Sequence, residues 1–98
     1  SILEVGAGIG SFTNNYSSLE NNGITLTEID NNNYKIIKER FKNRNYFFYQ
    51  NVTKELKGQF NTIMYLNVLE HIEKDTVEIN DALEKLDDNG YLIILVPA

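Results

Sequence analysis

Three glycines at alternate positions, Gly6, Gly8 and Gly10, end an apolar run after only five residues and stand directly ahead of a segment with helical spacing. That density of missing Cβ atoms suits a tight turn, where the backbone must take positive φ or come close to another group. Ser1 to Val5 is too short for a helix and reads as a buried strand. A strand, a glycine turn and a helix form the first half of a crossover, and a crossover returns the chain to a parallel neighbour in the same sheet.

The same alternation runs through the chain. Phe12, Tyr16 and Leu19 recur at helical spacing over Ser11 to Asn22, and Asn22-Gly23 supplies the stop. Ile24 to Ile29 is a second strand, after which Asp30 and three asparagines offer N-caps to a helix carrying Tyr34, Ile37 and Phe41 on one face. Asn45 to Val52 is a third, aromatic-rich strand, whose Tyr46-Phe47-Phe48-Tyr49 run is expected in the core. Phe60 to Leu66 is the fourth strand. Asp75 with Glu78 three residues on resembles a capping box, opening a helix with Ile79, Leu83 and Leu86 as its buried stripe. Asp88-Asn89-Gly90 reads as a turn into a final strand, Tyr91 to Val96, ended by Pro97. The fold class is α/β: a doubly wound, mainly parallel five-stranded sheet with helices on both faces.

Composition narrows the partners. The chain has 98 residues, enough for one modest core, and its net charge of -5 makes a nucleic-acid backbone a poor partner. With no cysteine, thiolate catalysis and zinc-thiolate sites are excluded, and no metal site is expected. The chain carries neither a signal-peptide pattern nor a long apolar segment, so the expectation is a cytoplasmic domain without a membrane partner.

In such a sheet, ligands lie beyond the carboxyl ends of the strands, where strand order reverses next to the first strand. The glycine loop stands there, and its free N–H groups at a helix start favour a carboxylate or phosphate. Glu28 follows Gly8 by 20 positions, near the end of the second strand, the offset at which an acid meets adenosine ribose hydroxyls. Loop and acid together indicate an adenosine-containing cofactor. Dinucleotide sites usually read G-x-G-x-x-G, whereas the spacing in this chain is G-x-G-x-G.

The segment Ile2 to Gly10 resembles the first motif of class I (Rossmann-like) S-adenosylmethionine-dependent methyltransferases, and Ile24 to Asp30 resembles their second. Phe60 to Ile72 is similar to the family's fourth-strand segment and Asn89 to Ala98 to its fifth, so the resemblance runs end to end in the family's order. It implies S-adenosylmethionine as cofactor, with Gly6, Ala7, Gly8 and Gly10 receiving the methionine moiety, Glu4 supporting its ammonium side and Glu28 holding the ribose. By the same resemblance, Ile29 belongs to the cofactor site and Val52 packs against the adenine. Asn67 approaches the methionine end. Asn51 stands where the family often has an Asp facing the adenine amino group; an amide can still accept from that group.

The implied reaction is attack by a substrate nucleophile on the sulfonium methyl. Positive sulfur already activates that methyl, so much of the catalysis is positioning. No catalytic residue is assigned: His71, the only histidine, has no visible orienting partner, and Glu70 reads as a first-turn helix acid. The stretch Leu69-Glu70-His71-Ile72 looks more like small-molecule methyltransferases than ribosomal-RNA adenine dimethylases, pointing to a small-molecule acceptor. The alternatives are a cofactor-binding module without activity and a nicotinamide-dependent Rossmann oxidoreductase, which the glycine spacing fits poorly. The resemblance further implies that residues 1–98 form a core incomplete at both ends, unable to turn over substrate alone; the oligomeric state is open.

Overall fold

The computed structural model describes residues 1–19 and 23–97. Its elements run β1 (Ile2–Glu4), α1 (Thr13–Tyr16), β2 (Ile24–Thr27), α2 (Asn31–Arg40), β3 (Phe47–Tyr49), β4 (Phe60–Leu66), α3 (Asp75–Glu84) and β5 (Leu86–Leu95), with single 3₁₀ turns after α1, before β4 and before α3. The five strands form one sheet in the order β3-β2-β1-β4-β5, every neighbouring pair parallel. The expected fold class is therefore the observed one.

Period-two alternation divides the sheet into two packed faces. Leu3, Val5, Ile63 and Tyr65 point to one side, where Leu56 and Ala82 of α3 close over them. Ile24, Leu26 and half-buried Phe48 point to the other, against Ile37 of α2 and Phe41 just past its end. Side chains of this size each contribute about 1.5–3 kcal/mol when fully buried. The chain crosses to the α1/α2 face after β1 and β2 and to the α3 face after β3 and β4, so the reversal falls between β1 and β4.

Several expected boundaries move for local reasons. The first helix forms as α1 plus a 3₁₀ turn over Ser17–Leu19; of the expected stop, Asn22 lies outside the described residues, while Gly23 takes φ +92 directly ahead of β2. Its asparagines and serines compete with helix bonding, and the Ser17 hydroxyl donates to the Asn14 carbonyl oxygen. β1, β2 and β3 are shorter than expected, and Phe47 and Tyr49 are exposed rather than core, because they face away from α2 on an edge strand. At α2, by contrast, Asp30 caps as read, its Oδ2 accepting from the Asn33 N–H at 2.9 Å.

The capping box does not form at α3. Asp75 is the first helical residue, Lys74 is the cap without a side-chain bond, and the Glu78 carboxylate is turned to Tyr65 instead. The buried stripe passes through Ile79 and fully buried Ala82, while Leu83 is 50% exposed and Leu86 already belongs to β5. A small residue at 82 lets the helix sit close to the sheet. Nor is the expected turn at Asp88-Asn89-Gly90 a separate turn. β5 starts at Leu86, and Asp87 to Gly90 bulge out opposite the single Asn61 between the pairs Phe60↔Leu86 and Thr62↔Tyr91.

Gly10 has φ +90, and a Cβ there would stand 2.5 Å from the Phe41 ring. Gly8 has φ +61 with open space around the same position. Gly10→Ala is expected to destabilise the domain by about 2–4 kcal/mol, combining strained backbone with overpacking, and Gly8→Ala by only about 1 kcal/mol, from backbone alone. Urea unfolding of both variants checks this; equal losses would contradict the packing argument.

Candidate cofactor site

At the carboxyl ends of β1 to β4, on the α3 side of the sheet, lies a cavity of about 270 Å³. Val5 and Gly6 form its floor side, and Thr27, Glu28 and Ile29 come from the end of β2. Asn51, Val52 and Thr53 follow β3, while Val68, Ile72 and Glu78 arrive from the segment leading into α3. The walls are largely apolar with a few polar groups at fixed places, the usual character of a small-molecule site. Ile29 and Val52 are 68% and 50% exposed, two apolar surfaces beside the opening.

Glu28 is buried and braced on both carboxylate oxygens. The Gly8 N–H donates to Oε1 at 2.8 Å and the Asp30 N–H donates to Oε2 at 2.8 Å. The acid that sequence spacing linked to the glycine loop is thus bonded to it directly. A carboxylate has about four lone-pair sites, so two remain for hydroxyl donors.

Of the residues expected at a cofactor, Gly6, Glu28, Ile29, Asn51 and Val52 meet around this cavity. Gly8 joins them through its bond to Glu28. Ala7 is buried on the α2 side, its N–H donating to the Thr27 carbonyl at 2.9 Å, and Gly10 abuts Phe41; neither is among the cavity walls. Asn67 is exposed just past β4 at φ 57, its N–H donating to the Leu95 carbonyl at 2.8 Å, next to wall residue Val68. His71 and Glu70 are exposed on the 3₁₀ turn before α3, outside the cavity walls.

Glu4 is placed elsewhere. Its buried carboxylate accepts from the Thr13 hydroxyl at 2.6 Å and from the Tyr16 hydroxyl, both on α1, on the face opposite the cavity. Burial pushes Glu4 above the ordinary value of 4.5, with the two hydroxyl bonds opposing. Burial also pushes Tyr16 up, and the neighbouring Glu4 adds to it, so the phenol stays a donor.

The sequence reading did not assign Thr27, Thr53, Val68 or Glu78 to the cofactor, and it gave Glu78 to a capping box instead. Thr53 and Glu78 meet because the 3₁₀ turn over Thr53–Glu55 and α3 both pack on the same sheet face.

A parallel sheet with a glycine loop bonded to an acid at the end of the next strand defines a nucleoside-type cofactor domain of the Rossmann-like class. The family described as "Methyltransferase domain" matches the chain over residues 1–98. The chain belongs to this family, the class I S-adenosylmethionine-dependent methyltransferases. No curated protein matches it in sequence.

Solved structures share the fold. An S-adenosylmethionine-dependent methyltransferase from Clostridium acetobutylicum aligns with TM-score 0.83 at 15% identity, covering 99% of this chain and 42% of that one. Magnesium protoporphyrin IX methyltransferase from Synechocystis, solved with bound SAM, aligns with TM-score 0.75 at 17% identity, over 88% of this chain and 44% of that one. The [4+2]-cyclase SpnF aligns with TM-score 0.82 at 18% identity, over 94% and 37%. The chain thus spans less than half the length of each of these three structures. Among the described residues, no helix is long and apolar enough to cross a membrane.

The raised Glu4 carboxyl makes stability depend on pH with a definite sign. A group that binds its proton more tightly when folded contributes fully below its unfolded value and loses that contribution as pH rises through its folded value. The stability of the parent chain relative to Glu4→Gln should therefore fall as pH is raised from about 4.5 upward. Urea unfolding at a series of pH values measures the difference; a flat difference across that window would refute the account.

Proposed function

We propose that this domain binds S-adenosylmethionine in the cavity beside Glu28 and serves methyl transfer to a small-molecule acceptor in a cytoplasmic setting. The observation that carries this reading is the Glu28 carboxylate fixed by the Gly8 N–H at the mouth of an apolar cavity. The residues present suit an adenosine group. Glu28 keeps acceptor capacity for ribose hydroxyls, and Ile29 and Val52 offer exposed apolar surfaces for the two faces of a flat base. Asn51 stands at the cavity wall with an amide able to accept from an amino group. Open space at Gly8 leaves the loop backbone approachable by the amino-acid portion, with Gly6, Ala7 and Gly10 shaping the turn and Asn67 near its end.

Bound there, S-adenosylmethionine supplies a methyl group activated by its positive sulfur. The chain's own residues position it. Glu4 supports the site from beneath: bonded to Thr13 and Tyr16, it holds α1 where the glycine loop enters it. No side chain among the cavity walls is required as a base, consistent with catalysis by positioning. The net charge of -5 supports a small acceptor over nucleic acid.

A second reading keeps the cofactor and drops the transfer. Its support is the similarity of fold to a protein named a [4+2]-cyclase, since fold alone does not fix chemistry.

Calorimetric titration with S-adenosylmethionine, S-adenosylhomocysteine and NAD tests the cofactor: the first two are expected to bind and NAD is not. Preferential NAD binding would overturn the assignment. Glu28→Ala removes charge-assisted bonds worth about 1.5–3 kcal/mol each, so affinity should drop roughly tenfold or more. An unchanged constant in a folded variant would make Glu28 a structural acid only.

A further inference from the structure

The cavity has a second carboxylate that the cofactor reading leaves unused. Glu78 reaches its wall from the first turn of α3, and only Oε2 is engaged, accepting from the Tyr65 hydroxyl. Oε1 accepts no hydrogen bond among the described residues, and Glu78 stands among the same walls as Asn51 and Val52. Tyr65 is fully buried in β4, and burial together with the Glu78 bond pushes its hydroxyl up, so it remains the donor that fixes the Glu78 rotamer. Thr53, also at the cavity wall, is buried with a hydroxyl that makes no well-formed hydrogen bond and lies beside that of Tyr65. A polar cluster so arranged at an apolar wall is unfinished until a donor enters the cavity.

We infer that Glu78 is a specificity-determining residue that accepts a hydrogen bond from the exocyclic amino group of the cofactor's purine. The inference rests on the cofactor reading above and deepens it. Asn51 cannot decide between an amino and a carbonyl substituent, because its amide offers a donor or an acceptor after a simple flip. A carboxylate only accepts, so it favours adenine and repels the carbonyl that hypoxanthine presents at the same position. Glu28 is unsuited to this task, since both its oxygens are braced by backbone N–H groups at the loop side. Sites built to pair with one polar group discriminate strongly against ligands that lack it, because the buried partner is then left unpaired.

The test compares S-adenosylhomocysteine with its S-inosyl analogue, by calorimetry, in the parent chain, Glu78→Gln, Tyr65→Phe and Glu28→Ala. The parent should prefer the adenosyl ligand by about thirtyfold or more, the range of one charge-assisted bond. Glu78→Gln keeps an oxygen for Tyr65 and gains an N–H for a carbonyl, so the preference should collapse to within about threefold. Tyr65→Phe releases the carboxylate and should reduce the preference part way, whereas Glu28→Ala should weaken both ligands and leave their ratio unchanged. A Glu78→Gln variant that folds and keeps the parental ratio overturns the inference while leaving the cofactor reading intact. A parent chain that binds neither ligand overturns both.

Discussion

Everything at the carboxyl edge of the sheet depends on one carboxylate meeting two backbone N–H groups. Glu28 joins the loop after β1, through Gly8, to the entry of α2, through Asp30. A buried carboxylate is stable only when hydrogen-bonded, and Gly8, with no side chain and open space about it, would otherwise leave the loop weakly determined. The Ala7 N–H bond to the Thr27 carbonyl runs parallel to it, so the loop is stitched to β2 at successive residues. The consequence is a turn held in place before any ligand arrives, which reduces the ordering cost of binding.

Side-chain parity along β1 explains why the two acids near the loop serve different ends. Leu3 and Val5 face α3 and the cavity, so Glu4 between them must face α1 and α2. Its paired neighbour in β2, Leu26, sits in the α2 cluster on that same side. Glu4 is accordingly not among the walls of the cavity. It acts by anchoring α1, a four-residue helix with no side-chain cap of its own, from a strand that the rest of the core already fixes. The role of supporting the ammonium side of the cofactor rests on a resemblance between motifs, whereas strand parity turns the Glu4 side chain toward α1.

What could be read in advance follows from how local each signal is. The bounds of β4 and the Asp30 cap rest on neighbours in sequence and appear as expected, and the fixed spacing that linked Glu28 to the glycine loop brings the two into direct hydrogen-bond contact. Failures occur where tertiary competition decides. Glu78 has the spacing of a capping residue, but a buried Tyr65 hydroxyl offers it a better partner from another element. Leu83 and Ala82 fit a helical stripe equally, and the closeness of helix to sheet selects the smaller side chain. Asp88-Asn89-Gly90 carries real turn chemistry, yet the chain keeps its pairing with β4 and absorbs the extra residues as a bulge where Gly90 passes the Asn61 backbone.

Fold alone leaves the chemistry open, as a methyltransferase and a cyclase with one architecture make plain. The site narrows it through the distribution of apolar surface. Ile29 and Val52 line the cavity at 68% and 50% exposure, so each forgoes part of the about 1.5–3 kcal/mol that full burial of such a side chain contributes. Loops without a binding role can use polar residues there at no such loss. On the proposed cofactor reading, a flat base covering them would recover part of that free energy, while β2, β3 and the Glu28 bonds hold the strand ends from which the two loops leave. On the same reading, affinity for the base would come from apolar contact, while Glu28, and Glu78 on the inference above, would supply directional bonds that choose among bases and sugars of similar size. The division of labour follows from the sheet: edges of strands fix where polar groups stand, and the loops beyond them carry the surface that a ligand covers.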